Sequence, residues 1–184
     1  MSDCCAGKSG SEQAVQVGGA FDLTDHHGNP VTDRSYRGQF MLLFFGFTHC
    51  RAVCPAALLR LSRVIDRLGP SAANLRPLYV TVDPERDTPA VMRAFLAGKF
   101  PQFTGLTGSR DNIEHVKGLY KVFARRAADP DDAAGYQMPH TAFTYLVGPD
   151  GNYIAHFTDA IDEDDLVERI GRHILGTSSI GETN

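Results

Sequence analysis

Cysteine is scarce in this chain: four in 184 residues, arranged as the pairs Cys4/Cys5 and Cys50/Cys54. That is too few for the disulfide framework of a small secreted scaffold, and a chain of this length buries enough surface to fold without such staples or a structural metal. The cysteines therefore read as chemistry. Long apolar runs are also missing. None approaches the roughly 20 residues that span a bilayer, and the opening Met1-Ser2-Asp3-Cys4-Cys5 carries no apolar leader segment, so the reading is a soluble chain with no membrane span. Nor is there a basic excess. The 18 Lys and Arg face 22 Asp and Glu for a net charge of −4, which argues against a diffuse electrostatic grip on nucleic acid. No internal repeat or second domain is visible, and the expectation is a monomer.

Alternating strand and helix signals fill the remainder. Residues 1–19 are polar and rich in Gly and Ser and read as a flexible tail, leaving one domain over 20–176 and a short C-terminal tail over 177–184. Two short strands around His27-Gly28-Asn29-Pro30 predict a β-hairpin. Met41-Leu42-Leu43-Phe44-Phe45-Gly46-Phe47 is continuously apolar and has the length of a strand buried on both faces. Leu58, Leu61, Ile65 and Leu68 recur at helical spacing between Pro55 and Gly69-Pro70, and Leu78-Tyr79-Val80-Thr81-Val82 follows as a second buried strand. That is a βαβ unit with parallel strands. Thr88-Pro89 opens a helix through Met92, Phe95 and Leu96, and a third helix carries Ile113, Val116, Tyr120 and Phe123 with Ser109 as its cap. The acidic stretch 129–132 reads as a loop. Strands over 141–147 and 152–157 join through Pro149-Asp150-Gly151 as a hairpin, and a last helix buries Leu166, Val167, Ile170 and Ile174 behind an acidic start. The order describes an α/β, thioredoxin-like sandwich with an N-terminal β-hairpin and extra inserted elements.

Cys50-Arg51-Ala52-Val53-Cys54-Pro55 falls between the end of a buried strand and the following helix, where open α/β sheets place their ligand sites. Two cysteines four apart inside a regular helix would hold their Cβ atoms about 5–6 Å apart, beyond the roughly 4 Å that a disulfide accepts. Cys50 is thus expected in the loop and Cys54 near the helix cap, where unpaired N–H groups and the positive end of the dipole favour thiolate, with Arg51 adding to the effect. Thiolate is the form that binds a soft metal or attacks a disulfide. His140, just before the 141–147 strand, supplies a third group if its loop faces the cysteines. Two thiolates and an imidazole suit copper, with zinc the main metal rival, and offer no oxygen cage to Mg²⁺ or Ca²⁺. The neighbouring His49 reads as structural, the other histidines as surface or packing residues, Asp83-Pro84-Glu85-Arg86-Asp87 as a loop braced by carboxylate–Arg bonds, and Cys4/Cys5 as bystanders.

Five blocks now stand in register: Gly46-Phe47-Thr48-His49-Cys50 through Cys54-Pro55, Val82-Asp83-Pro84-Glu85-Arg86-Asp87-Thr88, Leu106-Thr107-Gly108, His140-Thr141, and Gly148-Pro149-Asp150-Gly151. Together, over about residues 17–175, they resemble the Sco/SenC family, thioredoxin-like copper-binding proteins that assist the copper A centre of cytochrome c oxidase. The resemblance implies that Cys50, Cys54 and His140 match the copper ligands, for Cu(I) or Cu(II), and that Cys50 and Cys54 form a reversible disulfide. It implies a copper-accepting oxidase subunit or other copper protein and a thiol reductant as partners, and a periplasmic, inner-membrane-facing place or its mitochondrial equivalent. The chain departs from the family pattern at Arg51, where Pro is usual, at Val53, where an acidic residue is common, at Pro139, often Asp, and in showing no anchor. A thiol–disulfide oxidoreductase acting on partner cysteines and a copper or redox sensor are the competing readings; a peroxidase is weaker, for lack of a Pro-x-x-x-Thr-x-x-Cys pattern.

Overall fold

The computed structural model of the chain describes residues 16–176. Cys4, Cys5, most of the stretch read as the N-terminal tail, and the C-terminal tail lie outside the described residues. Within them, Val17 already packs against the core and the Gly18 N–H bonds the Leu119 carbonyl at 2.9 Å.

The chain opens with the expected hairpin, β1 (Asp22–Asp25) against β2 (Pro30–Thr32), its turn held by Asp25, whose carboxylate accepts the N–H groups of His27 and Asn29. The apolar run becomes β3 (Phe40–Gly46), buried at every position because it lies between two strands and under helices on both faces. Helix α1 (Val53–Leu68) buries Cys54, Leu58, Leu61, Val64, Ile65 and Leu68, one stripe at helical spacing. Strand β4 (Leu75–Thr81) runs parallel to β3, with Tyr79 opposite Phe44 and Thr81 opposite Gly46. Thr88 caps α2 (Pro89–Ala97) by accepting the Val91 N–H, and Ser109 caps α3 (Arg110–Leu119) in the same way through Asn112. Strand β5 (Thr104–Thr107) extends the sheet beside β4. A two-residue pair, β6 (Ala127–Ala128) and β7 (Tyr136–Gln137), forms a separate small hairpin. The closing hairpin is β8 (Thr144–Val147) and β9 (Tyr153–Phe157), and α4 (Glu163–Gly176) packs beside α1. The seven-stranded order is β2-β1-β5-β4-β3-β8-β9, with β3, β4 and β5 parallel and β8 antiparallel to β3.

Three features differ from the sequence reading, each for a local reason. The α3 pattern was expected to include Phe123, yet the helix ends at Leu119. Lys121 takes a left-handed φ of 57°, and the N–H groups of Val122 and Lys121 turn back to the carbonyls of Lys117 and Gly118. That is a Schellman stop with lysine where glycine is usual, and it leaves Phe123 65% exposed. Strand β5 is four residues of Thr-Gly-Leu-Thr without an apolar run, and burial by α2 makes it a strand. The β6–β7 pair is too short to carry a period of its own.

Gly46 ends β3 at the closest approach of the sheet to the cysteine segment. A Cβ there would lie 2.7 Å from the Tyr79 hydroxyl and 2.9 Å from Cys54 Sγ, nearer than real Cβ atoms come. Gly46→Ala is expected to lower stability by about 1–3 kcal/mol through overpacking, read as a lower urea midpoint at unchanged slope. An unaltered midpoint would show that the packing is looser than described.

Candidate metal centre

The loop from β3 to α1 follows from what the first turn of α1 leaves unpaired. Helix starts expose N–H groups that a Ser, Thr, Asp or Asn cap normally satisfies, but here the N-cap is Ala52, without a side-chain bond to offer. Pro55 has no N–H, and the Ala56 N–H bonds the Ala52 carbonyl at 3.1 Å. The donors of Val53 and Cys54 remain, and Cys50 fills the cap role: its Sγ accepts the Cys54 N–H at 3.4 Å. Cys50 lies in the loop and Cys54 at the second helical position, as the spacing predicted.

The two sulfurs are electrostatically unequal. Cys50 is half-buried, and its pKa falls from about 9 to about 5, chiefly through the hydrogen bond from the Cys54 thiol; burial, the next influence, opposes the fall, and the backbone N–H groups of Cys54, Ala52 and Val53 add to it. Cys54 is wholly buried and is pushed far up, first by that same bond, which holds its proton, and then by burial. Arg51 contributes differently from expectation. Its guanidinium reaches away to the Asp131 carbonyl and stands 3.9 Å from the Asp132 carboxylate, tying the cysteine loop to the β6–β7 loop.

His140 arrives from the other side. Residues 139–141 pair with 123–125: the Thr141 N–H bonds the Phe123 carbonyl at 2.9 Å, the Arg125 N–H bonds the Pro139 carbonyl at 3.1 Å, and Ala124 bridges His140. The ring meets Phe47 edge-on, with Nδ1 2.7 Å from the Met138 carbonyl and Nε2 3.0 Å from the Phe45 carbonyl. A neutral imidazole has one N–H and so can donate to only one of those oxygens. Cys50 and His140 line one cavity of about 280 Å³, with Phe47, Val53, Met138 and Pro139 making its apolar wall. The structure thus brings Cys50 against Cys54 and sets His140 on the same cavity as Cys50. Among the described residues no three His, Cys, Asp or Glu side chains already form a ligand cluster.

The braced loop is as the sequence reading expected, with one difference. Arg86 bonds Asp83 at 2.5 Å, Asp132 at 3.1 Å and the Tyr136 carbonyl at 3.2 Å, and its guanidinium lies 3.8 Å over the Tyr136 ring. Asp87, buried, takes no arginine: it accepts the Thr48 N–H at 3.0 Å and the hydroxyls of Thr48 and Thr81 at 2.6 Å each. Burial raises its pKa, and those three bonds oppose the rise. Asp87 was not singled out in the sequence, although it fixes Thr48, two residues before Cys50. The signal available was Thr81 at the end of one buried strand and Thr48 just beyond the end of its parallel neighbour. His49 turns Nδ1 to the Thr48 hydroxyl at 3.0 Å.

The inequality of the sulfurs has a direct readout. A thiol with a lowered pKa remains thiolate through neutral pH and loses that form only as pH falls through its own pKa. Iodoacetamide is therefore expected to label Cys50 of the reduced protein alone, with a rate that stays flat from pH 8 to 6 and falls with a midpoint near pH 5. A midpoint near 8 or 9, or equal labelling of Cys54, would contradict the capping geometry.

The chain matches the SCO1/SenC family over residues 9–175. It is 36% identical over 146 residues to an SCO2-like protein of Rickettsia felis, covering 79% of this chain and 71% of that one. Among solved structures, Arabidopsis thaliana ScoI with copper bound superposes with a TM-score of 0.81 at 30% identity, over 87% of this chain and 99% of that one. BsSco, a member of the Sco family of cytochrome c oxidase assembly proteins in which a disulfide switch was identified, superposes with a TM-score of 0.68 at 25% identity, over 88% and 95%. The fold is thioredoxin-like, as the order of elements predicted, and the chain belongs to the SCO1/SenC family.

Proposed function

We propose that this protein is a copper-binding chaperone of cytochrome c oxidase assembly, with Cys50, Cys54 and His140 as its ligands and copper as its cargo. The observation that carries the reading is geometric: Cys50, whose Sγ accepts an N–H from the start of α1, shares one cavity with the His140 imidazole. Two sulfurs and one ring nitrogen are a soft donor set. The acidic groups nearby are already engaged, Asp83 and Asp132 by Arg86 and Asp87 by two threonines, which leaves no free oxygen cage for a hard cation. The similarity to copper-bound ScoI supports the choice of metal.

Loading asks three things of the chain. Cys54 must release the proton it shares with Cys50. His140 must turn Nε2 from the Phe45 carbonyl toward the cavity, a motion within residues 138–143, which belong to no regular strand or helix. The apolar wall of Phe47, Val53, Met138 and Pro139 keeps water from the sulfurs once the groups close. Joining Cys50 to Cys54 as a disulfide removes two ligands at once, so a thiol reductant and a copper-accepting oxidase subunit or other copper protein are the partners this chemistry requires. The half-buried Cys50 backed by the buried Cys54 also fits thiol–disulfide exchange. Turnover of insulin disulfides by the copper-free protein, with no copper dependence, would favour that second reading.

Anaerobic Cu(I) titration of the reduced protein is expected to reach one ion per chain. Cys50→Ser and Cys54→Ser should weaken binding by more than the roughly 10–100-fold typical of an outer-shell change, and His140→Ala should weaken it measurably while leaving alkylation of Cys50 intact. Unchanged stoichiometry and affinity in the Cys50→Ser and His140→Ala variants would overturn the assignment.

A further inference from the structure

Tyr79 is the buried polar group that the site described so far does not use. It sits in the middle of β4, fully buried, and its hydroxyl has no hydrogen-bond partner among the described residues. Buried tyrosine hydroxyls ordinarily have one, because an unmade bond costs stability that a phenylalanine in the same place would avoid. The ring cannot swing the hydroxyl elsewhere: it is stacked between Phe44 at 6.2 Å and Phe95 at 5.8 Å. Close to the hydroxyl stands Cys54. The hydroxyl and Cys54 Sγ flank the missing side chain of Gly46, at 2.7 and 2.9 Å from where its Cβ would be.

We infer that Tyr79 is a positioning residue for the cysteine pair: its O–H closes onto Cys54 Sγ in the reduced state and so sets the reduction potential. The inference rests on the proposed reversible Cys50–Cys54 pair. On this inference the dithiol carries one chain of donors outward from the core: Tyr79 O–H to Cys54 Sγ, and the Cys54 thiol to Cys50 Sγ. A thiol or thiolate sulfur accepts such a bond better than a disulfide sulfur does. Oxidation by a disulfide reagent forms the Sγ–Sγ bond of Cys50 and Cys54 and passes two electrons to the reagent. The Cys54 proton leaves with the reagent's thiols, and the inward donor loses its acceptor. Tyr79 thus favours the reduced form.

Equilibration of the wild-type protein, Tyr79→Phe and Tyr120→Phe in dithiothreitol redox buffers, read by mass after trapping free thiols, tests the inference. Phenylalanine keeps the stack with Phe44 and Phe95, and Tyr120 is a second buried tyrosine, packed against Phe45 and Tyr145. Tyr79→Phe is expected to shift the equilibrium about tenfold toward the disulfide, which for two electrons is about 30 mV more negative; Tyr120→Phe should match wild type. A Tyr79→Phe constant within twofold of wild type, with the wild-type pair cycling normally, overturns this inference and leaves the proposed function standing. A wild-type protein that forms no reversible disulfide overturns both. If Tyr79→Phe does not fold, the near-ultraviolet difference between reduced and oxidised protein decides. A tyrosine difference band present in both wild type and Tyr120→Phe supports the inference, and its absence overturns it.

Discussion

The first turn of α1 imposes the constraint around which the candidate site is built. A helix start must find acceptors for its N–H groups, and this one begins at an alanine, with proline two residues beyond the first helical position. The acceptor is a sulfur two residues before the cap. Satisfying the helix also helps ionise Cys50: the N–H groups that need a partner add to the larger effect of the Cys54 thiol in lowering its pKa. A serine at position 50 could still cap the helix, but it would leave no ionised sulfur, so the fold alone does not require cysteine there.

Cys54 is placed by a different force. It continues the buried stripe of Leu58, Leu61 and Ile65 and behaves toward the core as a small apolar residue. Hydrophobic packing fixes the inner sulfur and backbone hydrogen bonding fixes the outer one. That placement lets the two sulfurs share one hydrogen bond, which lowers the pKa of the sulfur that reaches the cavity and raises that of the one that does not. Gly46 is the price of this arrangement, because sheet, tyrosine and cysteine meet where a side chain would otherwise stand.

The parts legible in the sequence are those decided locally. The run through Phe44 and Phe45, the stripe along α1, the caps at Thr88 and Ser109 and the turn at Pro149-Asp150-Gly151 each carry their cause within a few residues, and the structure has them where the pattern put them. The illegible parts are decided at a distance. β5 owes its burial to α2. The end of α3 depends on a lysine adopting a glycine's conformation. Asp87 sits in a motif that suggests arginine partners, yet two threonines brought together by parallel pairing of β3 and β4 claim it first. Arg51 shows the same limit. Its sequence neighbour is a thiolate, but its guanidinium finds Asp132, 81 residues further along the chain.

His140 combines the two regimes. Its backbone is set by pairing with 123–125, so the residue is firmly located, while its ring rests between two carbonyl oxygens of which a neutral imidazole satisfies one. A side chain held that way lies near the cysteine cavity without being committed to it. On the proposed function this matters, because a chaperone must release what it binds. A third donor locked permanently toward the sulfurs would deepen affinity and slow transfer, whereas one that exchanges a backbone carbonyl for the cargo gives up a hydrogen bond on loading and regains it on delivery. In the tautomer that carries its proton on Nε2, the bond to the Phe45 carbonyl, worth about 0.5–1.5 kcal/mol net for a neutral pair, is subtracted from affinity on loading and returned on release.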